Sequence, residues 1–281
     1  MNRIDGDLAA GPVAGMDLAR IRAIEDANLN GFPSDRLAMD GSWLARISPG
    51  NPARRVNSLN VMDPHDDADA RERLDAMLAV FADNDAAFHL RHTPLTPPAL
   101  VAIADAEGWT RTGETDVWSR PLAETADAEE PDEAAGPARL RSCTLDDFLS
   151  AFVATGGTRP EAVTPLAVAR LGGALERIAV RRVTLVAEDC NGRPLGVVLC
   201  VADRDMLGIY DLAVAPDVRR QGLGNRLVRA AMARGAALGC RLAWLQVTAE
   251  NGPARALYRR LGFRDGYAYH YRLPPESPHG S

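Results

Sequence analysis

YDLAVAPDVRRQGLG, residues 210–224, decides the reading of this chain. The stretch up to Val214 is apolar and strand-like, and Pro216 turns the chain. Arg219, Arg220, Gly222 and Gly224 follow, and a helical run Leu223–Leu238 begins at once. A loop of this make-up leaves backbone N–H groups without helical partners and lets a ligand approach bare backbone at the glycines. The helix start adds its positive dipole, and the two guanidinium groups offer charge-assisted hydrogen bonds. The segment predicts an anion cradle, suited to a pyrophosphate, on a strand-to-helix turn.

Three patterns build such cradles. A P-loop requires Gly-x-x-x-x-Gly-Lys-Ser/Thr, and the chain contains no lysine. A dinucleotide fingerprint requires Gly-x-Gly-x-x-Gly and an acid about 20 residues on. Here Leu227 stands in place of the third glycine, and the next strand, Arg241–Thr248, carries Gln246 and no acid. The third pattern, Arg/Gln-x-x-Gly-x-Gly/Ala, is met by Arg219, Gly222 and Gly224. In this the chain resembles the GNAT superfamily of acetyl-CoA-dependent N-acetyltransferases. A second element strengthens the resemblance: Asn251-Gly252-Pro253-Ala254-Arg255-Ala256-Leu257-Tyr258, followed by Leu261-Gly262-Phe263, is similar to the family's Asn-x-x-Ala-x-x-Leu-Tyr helix. Physically it reads as a short helix with Asn251 as N-cap, Pro253 in the first turn and Gly262 just past the end. Together the motifs cover roughly residues 139–273.

The resemblance implies an α/β (α+β) mixed sheet in which the strand Met206–Val214 splays from Leu242–Val247, with the pantetheine arm of acetyl-CoA in the gap. It implies that the backbones of Leu212, Ala213 and Val214 hold the pantetheine and polarise the thioester carbonyl. The amides of Arg219, Arg220, Gln221, Gly222, Leu223 and Gly224 hold the pyrophosphate. Asn251 touches the pantetheine or caps its helix, or does both. Tyr258 protonates the departing thiolate, for which a phenol with a pKa of about 10 is a plausible acid; a core tyrosine is the alternative. For the general base the candidates are Asp211, unusual in an apolar strand, and Glu250 before the capped helix. The place of a glutamate used by some family members is Gly208 here.

Bulk properties bound the rest. At 281 residues the chain has room for two domains, and its formal charge of −6 argues against general nucleic-acid binding. Cys143, Cys190, Cys200 and Cys240 are widely spaced, which favours structural thiols in a reducing cytoplasm over disulfides or a metal site. No metal is expected, and no membrane span or signal peptide, since MNRIDGDLAAG carries early acids and no apolar core.

Leu122–Ala138, rich in Ala, Pro and acids, reads as a mobile linker, and the tail from Pro274 (274–281) reads as frayed. This divides the chain into residues 1–121, the linker 122–138 and a catalytic domain 139–273. In the second half we expect strands at Ala138–Ser142, Val183–Glu188, Leu195–Ala202, Met206–Val214 and Leu242–Val247. Helices are expected near Leu145–Ala154, Glu161–Ile178 and Leu223–Leu238, with a closing hairpin around Gly266 that carries Tyr267, Tyr269 and Tyr271. In the first half we expect helices at Asp17–Asn28, Asp67–Ala82 and Pro98–Glu107. Strands are expected at Gly41–Ser48, Arg54–Val61 and Ala87–His92, with a hairpin at Thr110–Arg120. Leu100…Gly108-Trp109…Gly113…Trp118 parallels Leu257…Gly262-Phe263…Gly266…Tyr271 with one residue of slip. That suggests a degenerate internal repeat, hence a tandem GNAT-like protein whose first half lacks both motifs.

The function expected is transfer of an acetyl group from acetyl-CoA to a primary amine, on a small molecule or a peptide. A non-catalytic acyl-CoA sensor, or transfer of a different acyl group, is the alternative. The first half either shapes the acceptor site or provides a homodimer surface.

Overall fold

The computed structural model describes residues 16–122 and 138–275. The expected linker and tail, apart from Leu122, Ala138, Pro274 and Pro275, lie outside the described residues. The chain divides into two compact units, each drawn from separate stretches of the sequence, where a sequential division is expected from the sequence. Among the described residues the first unit takes 16–23, 34–117 and 265–275, and the second takes 24–33, 118–122 and 138–264.

Helix α1 (Leu18–Gly31) begins in the first unit and ends in the second. The first unit continues with β1 (Arg36–Asp40), β2 (Trp43–Ile47) and β3 (Ser58–Val61), an antiparallel series. Helix α2 (Ala70–Asp83) leads to β4 (Leu90–His92), which runs parallel to β3, and α3 (Pro98–Ala106) leads to β5 (Thr110–Pro121). The strand alternation of β2 and β3 and the 3.6-residue spacing of α2 bring Trp43, Leu59, Leu74, Met77, Phe81 and Trp109 into one core.

The second unit opens with β6 (Arg139–Ser142), α4 (Leu145–Ala154) and α5 (Pro165–Glu176). An antiparallel series β7 (Arg181–Glu188), β8 (Pro194–Asp203) and β9 (Met206–Val214) follows. Helix α6 (Leu223–Ala237) crosses over to β10 (Leu242–Thr248), parallel to β9, and α7 (Gly252–Arg260) comes next. The strand order here is β10-β9-β8-β7-β6. The chain then returns to the first unit as β11 (Arg264–Leu273), antiparallel to β4 with His270 opposite His92.

The repeat is visible in helix endings. After α3, Trp109 N–H bonds the Ala104 carbonyl (2.9 Å) across Gly108; after α7, Phe263 N–H bonds the Tyr258 carbonyl (3.0 Å) across Gly262. Both glycines are left-handed, with φ of +68° and +86°. Helices α2 and α6 close in the same way, across Asp85 and Gly239.

Several expectations are corrected. The two closing hairpins are single strands, β5 and β11. Their glycines serve close approach and not reversal. A Cβ on Gly113 would stand 2.5 Å from Arg54 Nη1, and one on Gly266 would stand 3.0 Å from the Val117 carbonyl oxygen. The helix at Glu161–Ile178 splits because Thr164 caps a new start at Pro165, its side chain accepting from Ala167 N–H. The first residues of the strand at Arg54–Val61 form a 3-10 turn, and β4 is shorter than Ala87–His92. Strand β1 is not anticipated, since its side chains are mostly exposed and show no apolar alternation.

One property of the first unit is set by two neighbouring histidines, His92 and His270, whose ring centroids are 4.5 Å apart. Burial, with help from Arg272 and Arg111, lowers His92 to about 4, and burial, with help from His92 and the same arginines, lowers His270 to about 3. Both therefore stay neutral where the unfolded chain, with histidine pKa values of about 6.5, takes up protons. Their contribution is a loss of stability as pH falls from about 6.5 towards 4. We expect the urea midpoint to fall through that window, and a His92→Gln/His270→Asn double variant to show a shallower fall.

Candidate active site

Strands β9 and β10 pair only from Met206 with Leu242 to Ile209 with Leu245. Beyond that row β9 keeps its antiparallel partner β8 but has a bulge, since Leu199 faces Tyr210 while Val197 already faces Ala213. The extra residue is accommodated at Asp211, whose φ is +44°. The pair therefore opens from Tyr210 and Gln246 onwards. The β9 segment carrying Leu212, Ala213 and Val214 has no β10 partner, and this is the splayed strand pair expected from the sequence.

The turn after β9 has the conformation of an anion-binding nest. Pro216–Val218 is a single 3-10 turn, Arg219 is extended, and Arg220 and Gly222 are left-handed with φ of +66° and +86°. The backbone N–H groups of residues 220–225 donate to no backbone carbonyl among the described residues, and α6 starts without a side-chain cap. Side chains brace the loop from within. Arg219 Nε donates to the Val214 carbonyl (2.9 Å), and Gln221 Nε2 to the Asp217 carbonyl (3.3 Å). Leu223 is buried beneath the loop, and a Cβ on Gly224 would lie 3.4 Å from Leu257 of α7 and 3.8 Å from Val214. The cradle, the end of β9 and the middle of α7 thus converge. These residues fit a pyrophosphate: free amides, a helix start and two exposed arginines.

Asn251 is exposed, and its Oδ1 accepts from Ala254 N–H (3.2 Å), so it caps α7. Glu250 lies exposed in the preceding turn. Tyr258 is buried among Cys200, Phe263 and the α6 side chains, with its ring edge-on to Phe263 at 5.9 Å. Burial, with a smaller push from Cys200, raises its phenol to about 12, so it keeps its proton. Asp211 is half-buried, with Oδ2 shut off from solvent.

The two faces of the β9–β10 pair differ in chemistry. Leu207, Ile209, Ala243 and Leu245 join the apolar core that also holds Tyr258. The opposite face carries Gly208, Tyr210, Trp244 and Gln246, with the Tyr210 and Trp244 rings edge-on at 5.6 Å. The end of α1 covers this face. Gln246 Nε2 donates to Asn28 Oδ1 (2.8 Å), Asn30 bonds Asp203 (2.8 Å), and Gly31 packs on the Tyr210 hydroxyl. Sequence reasoning singles out neither Asn28 nor Gly31, because their meeting with β9 and β10 is a long-range event with no local signal.

In the first unit the connection from β3 to α2 occupies the topological place of the cradle. It reads Met62-Asp63-Pro64-His65-Asp66-Asp67-Ala68-Asp69, with four carboxylates and neither glycine nor arginine. Asp66 turns inward to Ser42 and Arg73, which hold its carboxyl well below the usual range. A loop of this charge repels phosphate.

The model of the Acetyltransferase (GNAT) family matches residues 159–263. Mycothiol acetyltransferase of Clavibacter michiganensis is 41% identical over 81 residues, 29% of this chain and 26% of that protein. The [Ribosomal protein bS18]-alanine N-acetyltransferase of Escherichia coli is 35% identical over 75 residues, 27% of this chain and 51% of that protein. The chain thus spans about half or less of the length of these curated relatives. Among solved structures, a GCN5-related N-acetyltransferase from Kribbella flavida superposes with a TM-score of 0.68 at 18% identity, over 93% of this chain and 97% of its own. A tandem GNAT protein from the clavulanic acid biosynthesis pathway does so with a TM-score of 0.62 at 15% identity, over 97% and 92%. At such identities the likeness is one of fold, and it extends through the first half as well as the second. The fold is therefore the one that these two solved structures share. The likeness in sequence to the GNAT family lies in residues 159–263. No helix among the described residues is long and apolar enough to cross a membrane.

Proposed function

We propose that the protein moves an acetyl group from acetyl-CoA to a primary amine by direct attack in a ternary complex. The observation that carries this reading is the nest of unengaged amides at residues 220–225, in the turn that follows the end of β9 left without a β10 partner. Acetyl-CoA supplies a thioester carbonyl carbon. The unpaired backbone of Leu212–Val214 hydrogen-bonds the pantetheine, and an N–H near Val214 polarises the carbonyl. The amine nitrogen forms the new C–N bond as the C–S bond breaks. Its surplus proton passes to a base, and the thiolate takes a proton from Tyr258, giving the acetamide and free coenzyme A.

For the base, Asp211 is supported by its place on the bulge beside the gap. Glu250 is exposed one turn away and would act through water. The protonated state of Tyr258 suits a donor, and the phenolate left behind regains a proton from solvent. The first half serves the site by lending it the end of α1.

Titration of acetyl-CoA into the wild type by calorimetry, followed by thiol release with an amine panel, tests the reading. Micromolar binding and amine-dependent thiol release are expected. Absence of binding to the folded protein overturns it. Tyr258→Phe is expected to lower kcat about tenfold or more, within the range of general acids, with the Kd for acetyl-CoA unchanged. An unchanged kcat would remove Tyr258 from the mechanism.

A further inference from the structure

Two buried hydrogen-bond donors lie near the last paired row of β9 and β10, one on α1 and one on β10. Asn28 is 3% exposed; its Oδ1 is engaged by Gln246, and its Nδ2 has no partner. Trp244 is 1% exposed, and its indole Nε1 also has no partner. Trp244 and Gln246 are two residues apart on β10 and so point to one face, the face shared with Tyr210 and Gly208. Tyr210 and Gln246 form the first row beyond the last paired one. Buried donors are normally satisfied, and each exception calls for a physical reason. These two groups are both donors, and glycine at position 31 lets the backbone of α1 come close to the Tyr210 hydroxyl.

Resting on the acetyltransferase reading above, we propose that Asn28 Nδ2 and Trp244 Nε1 bind a carbonyl or carboxylate oxygen adjacent to the amine of the acceptor. The acceptor is then an α-amino acyl compound, such as an amino acid, its amide or a peptide N-terminus, and not a plain alkylamine. An oxygen accepting from both donors would hold the neighbouring amine at the mouth of the gap, where the thioester carbonyl is exposed. Because the site was built to donate, a substrate lacking that oxygen leaves two buried donors unpaired, which is the strongest form of discrimination a polar site offers. Asn28 comes from the N-terminal half of the sequence, so acceptor choice by the C-terminal transferase is written in the first half.

The test compares matched probes at equal free-amine concentration: L-alaninamide against ethylamine, and L-phenylalaninamide against phenethylamine. The wild type is expected to show a KM at least tenfold lower for each amide than for its partner. Asn28→Asp keeps the shape and the acceptor for Gln246 but replaces the donor by an oxygen. It is expected to raise KM for the amides about tenfold, to affect KM more than kcat, and to leave the Kd for acetyl-CoA as in the wild type. Trp244→Phe removes the second donor without a new charge and should erode the same preference, which covers the case where the aspartate variant does not fold. Equal KM values within each pair, unchanged KM in both variants, or acetyl-CoA binding without turnover of either amide would each overturn the proposal. Failure to bind acetyl-CoA would instead overturn the transferase reading beneath it.

Discussion

Removing residues 1–121 is expected to abolish cooperative folding of the remainder, and not simply to detach a lobe. The second unit draws on residues 24–33 and on the end of β5. The truncation would strip out Ile24, Phe32 and Trp118, which are 0%, 5% and 0% exposed. Burial of a side chain of this size contributes about 1.5–3 kcal/mol. Three such losses rival the ~5–15 kcal/mol by which a whole domain is stable. Polar ties go with them: Asn28 to Gln246, Asn30 to Asp203, and the Trp118 ring over which Arg255 and Arg259 lie at 4.9 and 5.1 Å. Strand β11 would also lose β4, leaving Tyr267, Tyr269 and Tyr271 with no partner strand on that edge. Circular dichroism and urea unfolding of residues 122–281 should show no cooperative transition. A soluble fragment that unfolds cooperatively and binds acetyl-CoA as the full chain does would show that the second unit does not need residues 24–33 and 118–121.

What could be read from the sequence follows a simple physical division. The cradle is legible because its chemistry is local: two glycines, two arginines and a helix start fall within six residues, and the chain's own geometry brings them together. The α7 element is legible for the same reason, since an N-cap, an early proline and a closing glycine act within one helix. The bulge at Asp211 is half-legible: a carboxylate in an apolar strand draws notice, but the left-handed backbone there is set by the skipped partner on β8. The return of β11 to the first unit beside β4 is not legible at all. β5 and β11 each look like the end of their own half, and the glycines at 113 and 266 look like turns. Only long-range pairing shows that they admit an arginine and a backbone carbonyl instead. Strand β1 escapes because an edge strand with exposed side chains carries no alternation to detect. Asn28 escapes because its meaning lies in Gln246, more than two hundred residues away.

Gly222→Glu is expected to weaken acetyl-CoA binding by at least a hundredfold while leaving the fold in place. Gly222 sits exposed at the tip of the cradle with φ of +86°, and a Cβ there would meet nothing within 4 Å. No packing is at stake, so a substitution costs only the left-handed strain of a non-glycine residue, about 1–2 kcal/mol. Gly222→Ala isolates that cost: it should lower the melting temperature slightly and weaken acetyl-CoA severalfold by loosening the nest. The glutamate adds a carboxylate where the amides of residues 220–225 converge. There it satisfies the donors itself and repels the pyrophosphate, as the acidic β3–α2 connection of the first unit does by its four aspartates. The difference between the two variants therefore measures charge, and the difference between alanine and wild type measures backbone geometry. Calorimetric titration at two salt concentrations separates them further, since the electrostatic part shrinks with screening and the geometric part does not. If the glutamate variant binds acetyl-CoA with the wild-type Kd, the phosphates do not lie on this loop. If alanine and glutamate weaken binding equally, strain alone accounts for the loss, and the amides are not the anion's partners.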